Sequence, residues 1–194
     1  MLTNTYQNPY LPTPMHVLHA YYESTDRTLK TLELTFDNPE DSVAFFRKFI
    51  PGQFCQLSVF GKGESPLGVA SAAWEGDFVR FTVQKMGAVT KALHKLQPGD
   101  AIGMRGPLGN GFPIEAWKGK NLVIIGGGCA FSTLYALTKH VQHPQNRPDF
   151  GQIIVIYGAR SSGLCMYKHD IQSWYKREDM EVHQAIDIPE EDWT

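Results

Sequence analysis

Three cysteines in 194 residues, no apolar run longer than a few residues and almost no charge imbalance are the first features of this sequence, and each excludes something. Cys55, Cys129 and Cys165 are odd in number, far apart and without a Cys-x-x-Cys pair, so neither a disulfide framework nor a zinc or iron-sulfur site is written in these residues, and reduced thiols are expected. The longest apolar runs, Leu122 to Ile125 and Ile153 to Ile156, are far too short to span a bilayer. Met1-Leu2-Thr3-Asn4-Thr5-Tyr6 lacks the basic start and apolar stretch of a secretory leader, which predicts a cytoplasmic protein. A formal net charge of -2 gives no basic field for nucleic acid or an anionic membrane, so neither is expected as a partner. The seven histidines show no metal-ligand spacing and are expected at the surface, with no metal site.

The remaining composition, 42% hydrophobic and 20% charged with 18 Gly and 12 Pro, is that of a turn-rich globular chain. Its character changes near residues 113 to 120. Before that point, short runs rich in Val, Phe, Leu and Thr (Leu32 to Phe36, Phe54 to Phe60, Phe78 to Val83, Ala101 to Arg105) are separated by Pro and Gly, the pattern of an antiparallel barrel. A single helix is predicted to interrupt it from Thr90 to Leu96, with Thr90 as N-cap. After Gly119 the pattern is strand, glycine turn, helix, strand, helix, strand: Asn121 to Ile125, Phe131 to Val141, Gln152 to Tyr157, Leu164 to Tyr175 and Glu181 to Ile186. Continuous apolar strands predict a parallel sheet covered on both faces. The expected organisation is therefore a β-barrel domain over 1–115 and an α/β nucleotide-binding domain over 116–194. With three strands where a doubly wound domain has five or six, the second domain is expected to be C-terminally incomplete, and this 194-residue form alone a poor oxidant of NAD(P)H.

Four segments carry chemistry. Gly126, Gly127 and Gly128 end a strand and open a helix, where glycines let phosphates approach backbone N–H groups at the positive end of a helix. The spacing departs from Gly-x-Gly-x-x-Gly at Ala130 and Phe131, and a structural strand-to-helix turn accounts for the residues equally well. Gly87, Ala88, Val89, Thr90 and Lys91 place a glycine, a hydroxyl and a cation at a helix start, suited to a diphosphate or simply to an ordinary capped helix. The loop Gly106 to Pro113 is either a glycine-rich binding loop or a domain linker. Tyr157, Gly158, Ala159, Arg160 and Ser161 follow the second parallel strand, where an adenosine ribose or its phosphate lies in dinucleotide domains. Arg160 is either a 2′-phosphate partner or a solvated surface charge, and Cys129 is either a helix-stabilised thiolate or a packed side chain.

Taken in order, Pro51-Gly52-Gln53-Phe54, Glu64 to Ser71, Val89 to His94, Gly106 to Asn110, Gly126 to Gly128 and Tyr157 to Ser161 resemble the ferredoxin-NADP reductase superfamily over nearly the whole chain. The likeness extends to the FAD- and NAD(P)-binding gamma subunits of cytoplasmic hydrogenases and sulfhydrogenases, to a related subunit of anaerobic sulfite reductase, and to subunits accompanying heterodisulfide reductases. The resemblance implies FAD on the barrel, with the flavin against Pro66, Leu67, Gly68, Val69, Ala70 and Ser71 and with Val83 nearby. It places the diphosphate at Gly87 to Lys91, and NAD(P)H at Gly126 to Gly128 and at Tyr157, Gly158, Arg160 and Ser161. It implies electron transfer between NAD(P)H and an iron-sulfur, hydrogenase or heterodisulfide-reductase-type partner through FAD, with a 2Fe-2S cluster expected only in a region beyond residue 194. No catalytic side chain is assigned. The alternative is a docking or regulatory subunit that keeps the fold without turnover.

One departure bears on the flavin. The superfamily carries Arg-x-Tyr-Ser there, whereas this chain has Ser65-Pro66-Leu67-Gly68, so FAD would depend on backbone and on the Thr90 helix.

Overall fold

The structure, a computed structural model, describes residues 8, 10–191 and 193. The expectation drawn from Met1 to Tyr6 lies outside those residues, as do parts of the outer ends of the two expected domains. Six antiparallel strands form the first sheet: β1 (Thr13–Tyr22), β2 (Leu29–Phe36), β3 (Phe54–Val59), β4 (Gly63–Gly68), β5 (Val79–Gln84) and β6 (Ala101–Leu108), in the order β4-β3-β6-β1-β2-β5. Past the end of β4, the Ala70 N–H donates to the Arg80 carbonyl at 2.8 Å, drawing the two outer strands together and curling the sheet into a barrel. Alternation sets the inner face: Leu32, Leu34 and Phe36 of β2 and Val79, Phe81 and Val83 of β5 share one core with Met15, Val17, Leu57, Ile102 and Met104.

Two helices belong to this half. Helix α1 (Pro39–Lys48) closes the barrel with Phe45, which packs on Phe36 and Phe49. The sequence reading left α1 out, although Asn38 accepting from the Glu40 N–H, Pro39 at the first helical position and Glu40 with Asp41 in the first turn form a complete start signal. Helix α2 (Ala88–Leu93) starts two residues earlier than predicted. Gly87 is its N-cap, and Thr90 sits in the third helical position with its hydroxyl turned back to accept from Met86 N and Gly87 N, both at 2.9 Å. The far end of α2 is held from inside the barrel, where the buried Lys30 ammonium donates to the His94 and Leu96 carbonyls at 3.0 and 2.6 Å.

The second half contains β7 (Leu122–Gly127), α3 (Phe131–Gln142), β8 (Ile153–Ala159), α4 (Lys168–Trp174) and β9 (Glu181–Ile186). The three strands are parallel in the order β7-β8-β9. Cover on both faces was expected; among the described residues one face is covered. Leu122, Ile124, Ile153, Val155 and Val182 lie under Leu137 and Val141 of α3 and Ile171 and Trp174 of α4, whereas Val123 and Ile125 are 58% and 66% exposed on the opposite face. Right-handed crossovers that progress in one direction along a sheet put successive helices on the same side, which is the reason for the asymmetry.

The histidines are not all at the surface. His94 is 5% exposed and its Nε2 lies 2.8 Å from the Val83 carbonyl, an acceptor, so Nε2 carries the proton. Burial lowers its pKa below 6.5, and burial followed by the neighbouring His143 lowers that of His140 as well. The folded protein then binds fewer protons than the unfolded chain as pH falls through 6.5, so stability is full above that value and declines below it. Thermal unfolding between pH 8 and pH 5 should show this acid-side loss, reduced in His94→Gln; identical pH profiles for the two proteins would refute the assignment to His94.

Candidate functional site

The outer face of β2 and β5 is buried too, and its side chains are polar. Glu33 pairs across the ladder with Arg80, and Thr31 with Thr82. Arg80 reaches Glu33 at 2.9 Å, Glu75 at 3.1 Å and the hydroxyl of Tyr135 on α3 at 3.1 Å. Tyr135 in turn donates to Asp170 of α4 at 2.9 Å, and Lys139 lies 3.3 Å from Glu75 and 3.6 Å from Asp170. Beside this ionic cluster the buried Tyr167 hydroxyl lies 2.6 Å from the Thr82 hydroxyl, which is 2.7 Å from that of Thr31; Thr31 donates to Glu23, whose other oxygen accepts from Tyr167 N. Because Thr31 donates to a carboxylate, the proton order along the chain is Tyr167 to Thr82 to Thr31 to Glu23. Tyr167 holds a left-handed backbone (φ 53) and stacks on Tyr135 at 3.9 Å between ring centroids. A buried polar seam thus joins the barrel to α3 and α4.

That seam fixes the start of α3, around which the predicted site segments gather. Gly128 at φ +52 turns the chain out of β7, and the next residue, Cys129, sets its Sγ 3.6 Å from the Thr82 carbonyl, close to the end of β5. Burial pushes the Cys129 thiol up, so it is a packed group and no thiolate. The end of β4 meets α3 directly: a Cβ on Gly68 would collide with the Thr133 methyl and come within 3.9 Å of the Ser132 hydroxyl. Gly63 of β4 lies beside Val89 of α2, where an added Cβ would stand 3.4 Å from its methyl. Through the parallel ladder Gly127 is level with Gly158, which brings the turn after β8 to the same rim. Pro66 to Gly68, Gly87 to Lys91, Gly126 to Gly128 and Gly158 to Ser161 therefore surround one edge of the seam.

Not every predicted side chain faces that edge. Val69 and Val83 are fully buried in the barrel core, and Ala70 in the core of the second half. Ser71 is buried with its hydroxyl accepting from Arg80 N. Tyr157 stacks on Phe131 at 4.2 Å and accepts from Met166 N. These five can offer a ligand only backbone. Pro66, Gly87, Ala88, Lys91 and Arg160 are exposed, and Leu67, Gly68, Val89, Thr90, Gly158 and Ser161 half-buried. Arg80, Thr133 and Tyr167 were missed by the sequence reading; a cation isolated within Val79-Arg80-Phe81, opposite Glu33 in another apolar strand, was the available signal.

The arrangement suits a dinucleotide and a second diphosphate. A Cβ placed on Gly87, Gly128 or Gly158 would meet nothing within 4 Å, so the backbone there is open to a ligand. The N–H groups of Ala88, Val89 and Thr90 have no acceptor among the described residues, as expected of a helix start that can receive phosphate oxygens. The three cysteines are free and lie in separate elements. No helix among the described residues is long and apolar enough to cross a membrane.

No family model matches the chain. Among curated proteins, the gamma subunit of sulfhydrogenase 1 from Pyrococcus furiosus is 36% identical over 182 residues, covering 92% of this chain and 60% of that protein. A probable electron transfer subunit of dihydroorotate dehydrogenase B (NAD(+)) from Thermococcus kodakarensis is 38% identical over 135 residues, covering 68% of this chain and 52% of its own. The chain thus spans between half and three-fifths of these relatives. Solved structures share the fold: ferredoxin-NADP+ reductase from Plasmodium falciparum has a TM-score of 0.74 at 15% identity, over 90% of this chain and 70% of that one. A ferredoxin NADP+ reductase from Neisseria gonorrhoeae with bound FAD and NADP has 0.73 at 19%, over 90% and 68%.

Two substitutions test the geometry. Gly68→Ala should cost about 1–3 kcal/mol through overpacking on Thr133, with much of the loss recovered in Gly68→Ala/Thr133→Ala; strict additivity of the two in denaturant unfolding would disprove the contact. Arg80→Ala should cost about 3–5 kcal/mol because it takes from Glu33 and Glu75 the cation they share in a largely buried seam, and a loss below about 1 kcal/mol would show that the seam does not depend on the cation.

Proposed function

We propose that this chain, a member of the ferredoxin-NADP+ reductase superfamily, serves as the FAD- and NAD(P)H-binding part of an electron-transfer flavoprotein that passes electrons to an iron-sulfur or hydrogenase-type partner subunit. Homology to a sulfhydrogenase gamma subunit over 92% of the chain is the observation that carries this reading. In it, residues 1–115 form the FAD domain and 116–194 the nucleotide domain. FAD held there would supply the means of accepting a hydride from NAD(P)H and of releasing single electrons, chemistry that belongs to the cofactor.

The chain's own residues supply positioning. The N–H groups at the start of α2 receive the FAD diphosphate, and Lys91 adds a cation. Thr90 keeps that start in shape by tying down Met86 N and Gly87 N, so its hydroxyl is a positioning group rather than the phosphate donor that an N-cap would be. Pro66, Leu67 and Gly68 line the flavin side, with backbone in place of the missing arginine and tyrosine. Gly126 to Gly128 and the turn after β8 receive the nicotinamide nucleotide. The seam holds these segments at fixed separation, which a hydride transfer over about 3–3.5 Å requires. The 2Fe-2S cluster of the resemblance has no ligand set here, and a partner subunit of the kind named for the relatives is the proposed electron acceptor.

Protein purified with its cofactor and then denatured should release FAD, and its visible bands should bleach under NADH or NADPH without oxygen, slowly in this 194-residue form with its three-stranded nucleotide sheet. Release of FMN alone would overturn the diphosphate assignment, and retention of flavin without bleaching by either nucleotide would favour the docking or regulatory reading. Thr90→Val should weaken FAD retention about tenfold, the size of a lost helix cap, as read by flavin fluorescence on dilution.

A further inference from the structure

The last described segment lies across the end of β8. Past the final ladder pair, Ala159 with Ile186, Asp187 N donates to the Ala159 carbonyl and Ile188 N to that of Arg160, each at 3.1 Å. The chain then turns, and the Glu190 carboxylate accepts from Ser162 N at 3.0 Å. Two contacts hold Glu190 there: Trp193 N donates to its carbonyl at 3.1 Å, and the Trp193 ring packs against the core of the second half. The Ser162 side chain and the charge of Lys168 also favour the ionised carboxylate. A negative charge delivered by the exit of the third strand therefore occupies the turn after the second.

Resting on the reading that the carboxyl ends of β7 and β8 receive a nicotinamide nucleotide, we infer that Glu190 selects the nucleotide whose adenosine ribose is unphosphorylated, NADH, over its 2′-phosphorylated counterpart. In dinucleotide domains the adenosine ribose lies at the turn after the second strand. A carboxylate accepts hydrogen bonds from a ribose diol but repels a 2′-phosphate, and the repulsion is strong at short range. Glu190 also takes the Ser162 N–H, a backbone donor that a phosphate would otherwise use. Arg160 is exposed in the same turn and is a cation suited to a 2′-phosphate; with Glu190 beside the turn its charge is opposed. The selecting group thus arrives from after β9, in a segment whose sequence, Ile188-Pro189-Glu190-Glu191, carries no nucleotide motif.

The test uses the full chain with two redox-inert fragments, ADP-ribose and 2′-phospho-ADP-ribose, titrated by calorimetry and followed at the Ser162 amide by NMR. The wild-type protein should bind ADP-ribose the more tightly. Glu190→Gln, which keeps an acceptor for Ser162 N and hence the turn, should strengthen 2′-phospho-ADP-ribose on the order of tenfold and weaken ADP-ribose, whose diol loses a charged acceptor. Adding Arg160→Ala should remove that gain. An unchanged ratio in Glu190→Gln, or a wild-type preference for the 2′-phosphate, overturns the inference and leaves nucleotide binding intact. If neither fragment binds and the Ser162 amide does not shift, the nucleotide reading falls and the inference with it.

Discussion

Arg80 is a largely buried cation between the barrel and the helices of the second half, and much of the architecture follows from satisfying it. A barrel strand ordinarily turns apolar side chains inward and polar ones to water. Here the polar faces of β2 and β5 are covered by α3 and α4, so Glu33, Thr31, Arg80 and Thr82 each need a partner from the protein. Glu75, Tyr135, Lys139, Asp170 and Tyr167 supply them. Removing one member would leave others charged or unbonded in a low-dielectric seam, so the set holds together as a unit. Directional bonds also specify geometry in a way that apolar contact does not. The start of α3 has one position against the barrel, and the glycine turn before it has one position against β4 and β5.

Much of this fold was legible because its strongest signals are local. β9 runs from Glu181 to Ile186 as the apolar pattern predicted, and β2, β3, β5, β6, β7 and β8 differ from their predicted runs only in their ends. β1 and β4 were overlooked for a physical reason. β1 has strand formers in Thr13, Val17, Tyr21 and Tyr22, but Pro14, His16, His19 and a bulge break up its pattern; β4 is Gly63-Glu64-Ser65-Pro66-Leu67-Gly68, with little strand propensity of its own. β1 is paired on both sides and β4 along β3, and tertiary pairing makes strands of them. The shift in α2 has a similar origin: a threonine near a helix start reads as an N-cap, and only the backbone shows that Thr90 bonds backward from inside the helix.

The site was legible as segments and obscure as side chains. Glycine spacing and strand-to-helix transitions pointed to Gly87, Gly128 and Gly158, and the backbone at all three is open. Whether a neighbouring side chain faces that opening depends on the layer packed behind it, which local pattern does not encode. Tyr157 looked like a nucleotide contact but stacks on Phe131, and Ser71 looked like a flavin contact but bonds its hydroxyl to Arg80 N. Thr133 and Glu190 were hidden for the converse reason. Each meets a partner that is remote in sequence, Gly68 and Ser162, and neither stands in a motif.

A seam this well satisfied constrains how ligands can reach the site. Parting β5 from α3 would expose Arg80, Glu33, Glu75 and Tyr135 at once, and each bond lost there would have to be replaced by the ligand or by water. Entry at the rim costs none of these bonds, because Gly87, Gly128 and Gly158 already leave backbone uncovered along it. The proposed diphosphate and nucleotide positions both lie on that rim. In the proposed reading, a rigid frame with open glycines at its edge sets the separation of the two cofactors without closing over either, and transfer between them would depend on that separation more than on any single side chain.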